Sequence, residues 1–289
     1  MKDLMSLLFE TNAFKICEEN KPFWYTSGKI GPYFVNTHFL YGSEQDANEL
    51  LDFINEQLAT EDKTNIPTNI FHKVLHQYET NEIFKTVIDN LKSFIEEKIP
   101  VENIDYISGG ERRDWYFSNI IAYLLGKPHI TIYKDLSTVV STCDFTENTE
   151  INVLESKKVL HIADLLNQSS SYVRAWVPAI KQLGSSIVWS AVVVDRMQGG
   201  SETLTNMGIR SLSLLQIDET LFSKALELNI INENGLEMLK NFTLDPDGSM
   251  RTFLIEHPEF LENALNSDEK TAKRAKLCIE SDLYNLNNN

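Results

Sequence analysis

Residues 157–177, KKVLHIADLLNQSSSYVRAWV, decide how the chain is read. They open with a short apolar run, 159–162, behind Lys157 and Lys158, which suits a strand buried on both faces of a parallel sheet. A polar turn follows. Asn167, Gln168, Ser169, Ser170 and Ser171 separate that strand from an amphipathic helix expected over 172–183 and closed by Gly184. Strand, loop and helix in that order aim helix N–H groups outward at the carboxyl end of a sheet, where phosphates and other anions bind. Asp164 stands at the expected strand end. Taken alone, the amide and serine run also reads as a helix-capping turn.

A second β-branched apolar run, 187–194, ends in Asp195, Arg196, Met197, Gln198, Gly199 and Gly200. A charged pair at a strand's carboxyl end is a site signal in open α/β folds. At these residues the sequence resembles the orotate phosphoribosyltransferase family. Residues 159–171 are similar to that family's phosphoribosyl-diphosphate stretch of apolar residues, two acids and a Thr- and Gly-rich loop. Residues 192–200 are similar to its V-D-R-Q-E-G-G segment, which is the closer match. The resemblance implies the type I phosphoribosyltransferase fold and transfer of phosphoribose from 5-phosphoribosyl 1-diphosphate to orotate or a related base. It also implies Mg2+ carried with the diphosphate, and a homodimer.

The other motifs recur in family order. Residues 21–43, KPFWYTSGKIGPYFVNTHFLYGS, read as two short strands with a turn between them, and resemble the family's N-terminal hood over the base. Thr26 stands where the family has Lys, with Lys29 as its substitute; Tyr33 and Phe34 would wall the base, and Arg196 would pair with it if anionic. Residues 104–108 read as a strand, Gly109 and Gly110 as a tight turn, and 116–125 as a helix. Arg112 and Arg113 at that helix start would take the diphosphate, although they read equally as partners of Glu111 or Asp114. A third strand, 129–133, ends in Lys134, expected to assist at the diphosphate.

The departures lie on the sugar-phosphate side. Asp164 matches the family's second acid, but the first is Ala163, and Asn167, Ser169, Ser170 and Ser171 replace the Thr- and Gly-rich loop. Serine resists the positive φ that a cradle of converging N–H groups requires, so a different loop shape is expected. Residues 136–156 are polar, lack any marked period and read as a loop or irregular hairpin. The family's mobile catalytic loop falls here, with Lys and His residues that this stretch does not have. Two readings therefore stand: a transferase using Asp164 and Lys134, or a catalytically impaired ligand-binding or regulatory protein of the same fold.

Composition bounds the rest. The 289 residues, 42% hydrophobic and 10% aromatic, describe a globular chain, and a net charge of −16 argues against a general nucleic-acid binder. No apolar run approaches the ~18 residues of a membrane span, and MKDLMSLLFE is unlike a secretory signal, so the cytoplasm is the expected location. Cys17, Cys143 and Cys278 are too scattered for a disulfide framework or zinc cluster. His72 and His76 have helical ligand spacing but no third partner, and read as a packed or solvated pair.

Strands near 104, 130, 160, 190 and 212, separated mostly by helices, predict an α/β protein with a mainly parallel central sheet of about five strands. The expected domain spans 1–218, with hood and helical insert over 1–100 and core over 101–218. Helices are expected over 1–17, 43–58 and 66–99, and over most of a C-terminal extension, 219–289, whose tail from 285 is expected to be disordered.

Overall fold

The computed structural model describes residues 3–60 and 62–286. They form two compact units, one from Met1–Ala13 and Thr37–Asp218, the other from Phe14–Asn36 and Glu219–Asn289. The strands over 14–36, assigned from sequence to a 1–218 domain, thus group with the C-terminal helices.

In the first unit, helix α1 (Leu4–Glu10) is shorter than the expected 1–17. The Thr11 hydroxyl folds back on the Leu7 carbonyl at 2.8 Å, and Asn12 turns the chain at φ 58°. Helix α2 (Glu44–Leu58) starts at Ser43, whose side chain accepts from the Asp46 N–H. The stretch over 66–99 is two helices, α3 (Ile66–Thr80) and α4 (Glu82–Lys98), divided at Asn81, whose side chain caps the second.

The sheet has seven strands: β1 (Tyr106–Gly110), β2 (His129–Ile132), β3 (Thr138–Ser141), β4 (Asn148–Glu150), β5 (Lys158–Leu166), β6 (Ser186–Asp195) and β7 (Arg210–Gln216). Their order is β7-β6-β5-β1-β2-β3-β4. The five expected strands run parallel, and β3 and β4 add an antiparallel edge. That edge comes from the stretch read as a loop or irregular hairpin.

Helix α5 (Trp115–Leu124) lies against β1 with Trp115 to Ala122 all buried, and α3 and α4 pack on it in turn. A helix apolar all round needs such a sandwiched place. Helices α6 (Val177–Gln182) and α7 (Gly200–Asn206) follow β5 and β6. Buried His129 sits between Ser118 Oγ at 3.0 Å and Thr131 Oγ1 at 3.1 Å, and burial pushes its imidazole down to about 3.

In the second unit, residues Phe14–Ile16 pair antiparallel with Tyr33–Val35, and Phe23–Trp24 with Ile30–Gly31. This gives four short strands where two were expected. The remainder is helical: α8 (Glu219–Glu227), α9 (Glu233–Leu244), α10 (Pro246–Glu256), α11 (Glu259–Leu265) and α12 (Glu269–Glu280). Strands and helices are joined by particular contacts. The Tyr284 hydroxyl accepts from the Ile30 N–H at 2.8 Å, Arg274 donates to the Trp24 carbonyl, and Trp24 stacks on Phe260. Residues 287–289 of the tail lie outside the described residues.

Candidate functional site

Sheet order reverses between β1 and β5, since β2 lies to one side of that pair and β6 and β7 to the other. In open α/β sheets a crevice forms at the carboxyl ends of strands at such a switch point. A cleft of about 360 Å³ opens there. Arg112, Arg113, Lys134, Asp164, Asn167, Ser169, Ser170 and Ser171, all selected from the sequence, line it together. Glu111, Asp114, Ala163, Tyr172 and Trp176 complete most of the wall.

The glycines of the first wall have a different role from the turn expected of them. Gly109 and Gly110 are the last residues of β1, and their φ angles are not positive. They are needed for close approach. A Cβ on Gly109 would lie 2.1 Å from Ser118 Oγ, and one on Gly110 would lie 2.2 Å from the Trp176 indole. The turn proper is Glu111 to Asp114, with a cis Glu111–Arg112 peptide. Arg112 reaches Asn55 Oδ1, Lys134 Nζ lies 3.4 Å from Glu111 Oε1, and Arg113 is exposed.

Asp114 accepts hydrogen bonds from the backbone N–H of Gly110 and of Asp164, each at 3.0 Å, tying the turn to β5. His161 Nε2 stands 3.3 Å from its carboxylate, and His161 Nδ1 is 2.9 Å from Ser108 Oγ. Ser108 and His161 are fully buried, and Asp114 is 6% exposed. Sequence reasoning missed this polar chain through the middle of the sheet. Its one signal is a histidine inside an otherwise apolar strand, since an imidazole there needs polar partners.

The second wall departs from expectation in three ways. Strand β5 runs past Asp164 to Leu166, because pairing with β6 continues to Leu166 and Asp195, so Asp164 lies within the strand. The expected helix over 172–183 begins as a wide π turn, Tyr172–Trp176, before α6. Pro178 has no N–H to return to the Arg174 carbonyl, which accounts for the widening. Third, Ser169 occupies the left-handed region at φ 60° although it is not glycine. Its Oγ donates to the Gly200 carbonyl at 2.8 Å, which offsets the cost of that conformation. The serine loop thus makes the left-handed turn that serine was expected to resist.

Gly200 closes the arrangement from behind, since a Cβ there would lie 2.4 Å from the Asn167 carbonyl. Asp195 accepts from Met197 N–H and Ser201 Oγ, both at 2.8 Å, and so shapes its own turn. Arg196 is half-buried at the end of β6 and outside the cleft lining; its N–H donates to the Leu166 carbonyl.

Charge in the cleft is mixed. Burial, and next the neighbouring Asp114, raise the Asp164 carboxyl well above the usual carboxylate range. His38 is buried in the same unit, and burial with the nearby Arg113 pushes it down to about 3. Three cationic side chains and a hydroxyl loop suit a phosphate, and the acids suit hydroxyl donors.

Lys29, Tyr33 and Phe34 belong to the second unit. Tyr33 is 3% exposed, its ring packed among Phe14, Phe222 and Phe242. Phe34 is half-buried against Phe23 and Tyr25, and Lys29 pairs with Asp247 at 2.7 Å. A larger groove of about 650 Å³ in that unit is lined by residues such as Met238, Met250 and Phe253, with no Lys or Arg in its wall to hold an anion. His72 and His76 are exposed on α3. Among the described residues no helix is long and apolar enough to cross a membrane.

No family model matches the sequence. An orotate phosphoribosyltransferase of Sulfolobus acidocaldarius is 28% identical over 140 residues, covering 48% of this chain and 68% of that protein. One of Methanosphaera stadtmanae is 27% identical over 133 residues, covering 46% and 72%. In three dimensions the chain is similar to Leishmania donovani UMP synthase, with a TM-score of 0.55 and 15% identity over 83% of this chain and 41% of that one. A Francisella tularensis orotate phosphoribosyltransferase gives 0.52 and 14% identity over 82% and 96%.

Proposed function

We infer, from a chain that is a divergent relative of the orotate phosphoribosyltransferases and shares their fold, that its cleft binds a phosphorylated ribose. The reaction proposed is transfer of phosphoribose from 5-phosphoribosyl 1-diphosphate to orotate or a related base. The observation that carries this reading is the meeting of Arg112, Arg113 and Lys134 with Asp164 and the 167–171 loop at the switch point of the sheet.

Each group has a part in that chemistry. The 5-phosphate sits on the loop of Ser169, Ser170 and Ser171, and the diphosphate takes its countercharge from Arg112, Arg113 and Lys134. Asp164 faces the sugar, whose oxocarbenium-like character in transfer calls for carboxyl groups beside its hydroxyls. Magnesium is expected to arrive on the diphosphate. The described residues hold no group of three or more metal-ligating side chains, and the cleft acids Glu111 and Asp114 already accept from Lys134, Gly110 and Asp164. Arg196 is assigned to an anionic base, and a homodimer is expected by analogy with the family; light scattering checks the latter.

A second reading, a binding or regulatory protein without turnover, is favoured by Ala163 and by the ordered strands β3 and β4 where the family's mobile loop would fall. A steady-state assay with orotate, the diphosphate sugar and Mg2+ separates the two. Nucleotide formation supports transfer. No product above blank at high protein, with ribose 5-phosphate still bound, leaves the binding protein.

A further inference from the structure

Position 163, where the resemblance calls for an acid, carries an alanine that is 2% exposed and packed into the core beside Leu166 and Val192. The resemblance calls for two adjacent acids facing the sugar hydroxyls, and β5 supplies only Asp164. Asp164 nevertheless has a neighbour. Asp114, from the turn after β1, lines the same cleft and accepts the Asp164 N–H on Oδ1 at 3.0 Å.

We propose that Asp114 takes the place of the missing acid, so that Asp114 and Asp164, brought together from two strands, recognise the vicinal hydroxyls of a ribose 5-phosphate in the cleft. The proposal rests on the phosphoribosyl reading above and names a recognition residue that the family pattern does not supply. Its geometry is held from behind. Gly110 N–H donates to Oδ2 and Asp164 N–H to Oδ1, while the His161 ring stands beside Oδ2 at 3.3 Å without a hydrogen bond to it. Two of the roughly four lone-pair positions of a carboxylate are then taken, leaving room for a ligand hydroxyl. Ser108 Oγ, at 2.9 Å from His161 Nδ1, fixes the ring behind Asp114. The raised Asp164 carboxyl agrees with a buried acid close to a second one.

The test is calorimetry with ribose 5-phosphate, 2-deoxyribose 5-phosphate and inorganic phosphate on wild type, Asp114→Asn and Asp164→Asn. Wild type should prefer ribose over 2-deoxyribose 5-phosphate by roughly tenfold, the effect of one lost hydrogen bond with its partner left unpaired. Asp114→Asn should bring the two sugars within about threefold while holding inorganic phosphate at least as well as wild type. Retention of the tenfold preference in Asp114→Asn overturns the proposal and leaves the phosphoribosyl reading intact. Failure of wild type to bind any of the three overturns both.

Because Asp114 also anchors two backbone amides, each variant is first melted. A variant that does not fold is replaced by a measurement on wild type labelled with 13C at the Asp carboxyl carbons. Ribose 5-phosphate should then move two Asp resonances and 2-deoxyribose 5-phosphate, which keeps only one of the two hydroxyls, should shift one of them less; movement of a single resonance by ribose 5-phosphate overturns the pair.

Discussion

Replacing Gly110 with alanine puts a methyl group where Trp176 already is. The added Cβ would lie 2.2, 2.3 and 2.6 Å from three indole carbons, whereas non-bonded carbons rest at about 3.5–4.0 Å. The indole must therefore retreat by more than about 1 Å or the strand must bend. Gly110 does not use positive φ, so alanine meets no backbone penalty and would by itself stabilise slightly through the unfolded chain. The whole loss is thus assigned to the clash. Overpacking of this kind costs about 1–3 kcal/mol, which for a chain of this size lowers the melting temperature by roughly 3–4 °C at the middle of that range. Trp176 also ends the π turn that follows the serine loop, so ribose 5-phosphate binding should weaken with it. Thermal melting and urea unfolding of Gly110→Ala, Trp176→Leu and the double variant measure the effect. The double variant should recover about 1 kcal/mol or more relative to the sum of the singles. Melting of Gly110→Ala at the wild-type temperature, or additivity within about 0.5 kcal/mol, would refute the reasoning.

Ser169→Val should cost about 2 kcal/mol, combining a β-branched residue at φ 60° with loss of the bond to Gly200, while Ser169→Gly should stay within about 1 kcal/mol of wild type; urea midpoints in the reverse order would count against the left-handed turn. His129, pushed down to about 3, lies below the ordinary histidine value near 6.5, so the unfolded chain takes up its proton first and stability falls as pH drops through about 6.5 towards 3. At pH 5 that loss is about 2 kcal/mol, and the fall in melting temperature from pH 7 to pH 5 should be smaller in His129→Gln; equal falls would contradict it. Arg113→Ala should weaken ribose 5-phosphate by roughly ten- to a hundredfold in calorimetry, as expected for a lost charge-assisted contact, and an unchanged affinity would remove Arg113 from the site.

The parallel core was legible because each strand is a short β-branched run bounded by charge or glycine, as in 159–162 and 187–194, and because helices of marked period separate most of them. Most of the positions that line the cleft could be picked out with them, since the cleft forms where those strands end. Three things were not legible. Strands β3 and β4 are polar and short, and they are strands only because β2 offers an unpaired edge, which is a tertiary fact. Gly109 and Gly110 look like turn glycines in sequence, and only the side chains of Ser118 and Trp176 show that they are spacers. Asp114 looks like one more charge in Glu-Arg-Arg-Asp, and its value lies in a backbone amide fifty positions away. The left-handed Ser169 shows the reverse, a local propensity overridden by one hydrogen bond to a neighbouring segment.

The bond from Ser169 to Gly200, the close seat of Gly200 on Asn167, and the Arg196 amide on Leu166 together weld the two loops that follow β5 and β6. A loop so held has little freedom left to surrender when an anion arrives. The ordering entropy that flexible phosphate loops lose on association is here lost already in folding, which favours affinity at the expense of adaptability. Such a site discriminates among ligands by fit, because it cannot reshape itself around a poor one. Its backbone amides should exchange with solvent deuterium as slowly before ligand addition as after it, in contrast to a loop that orders on binding.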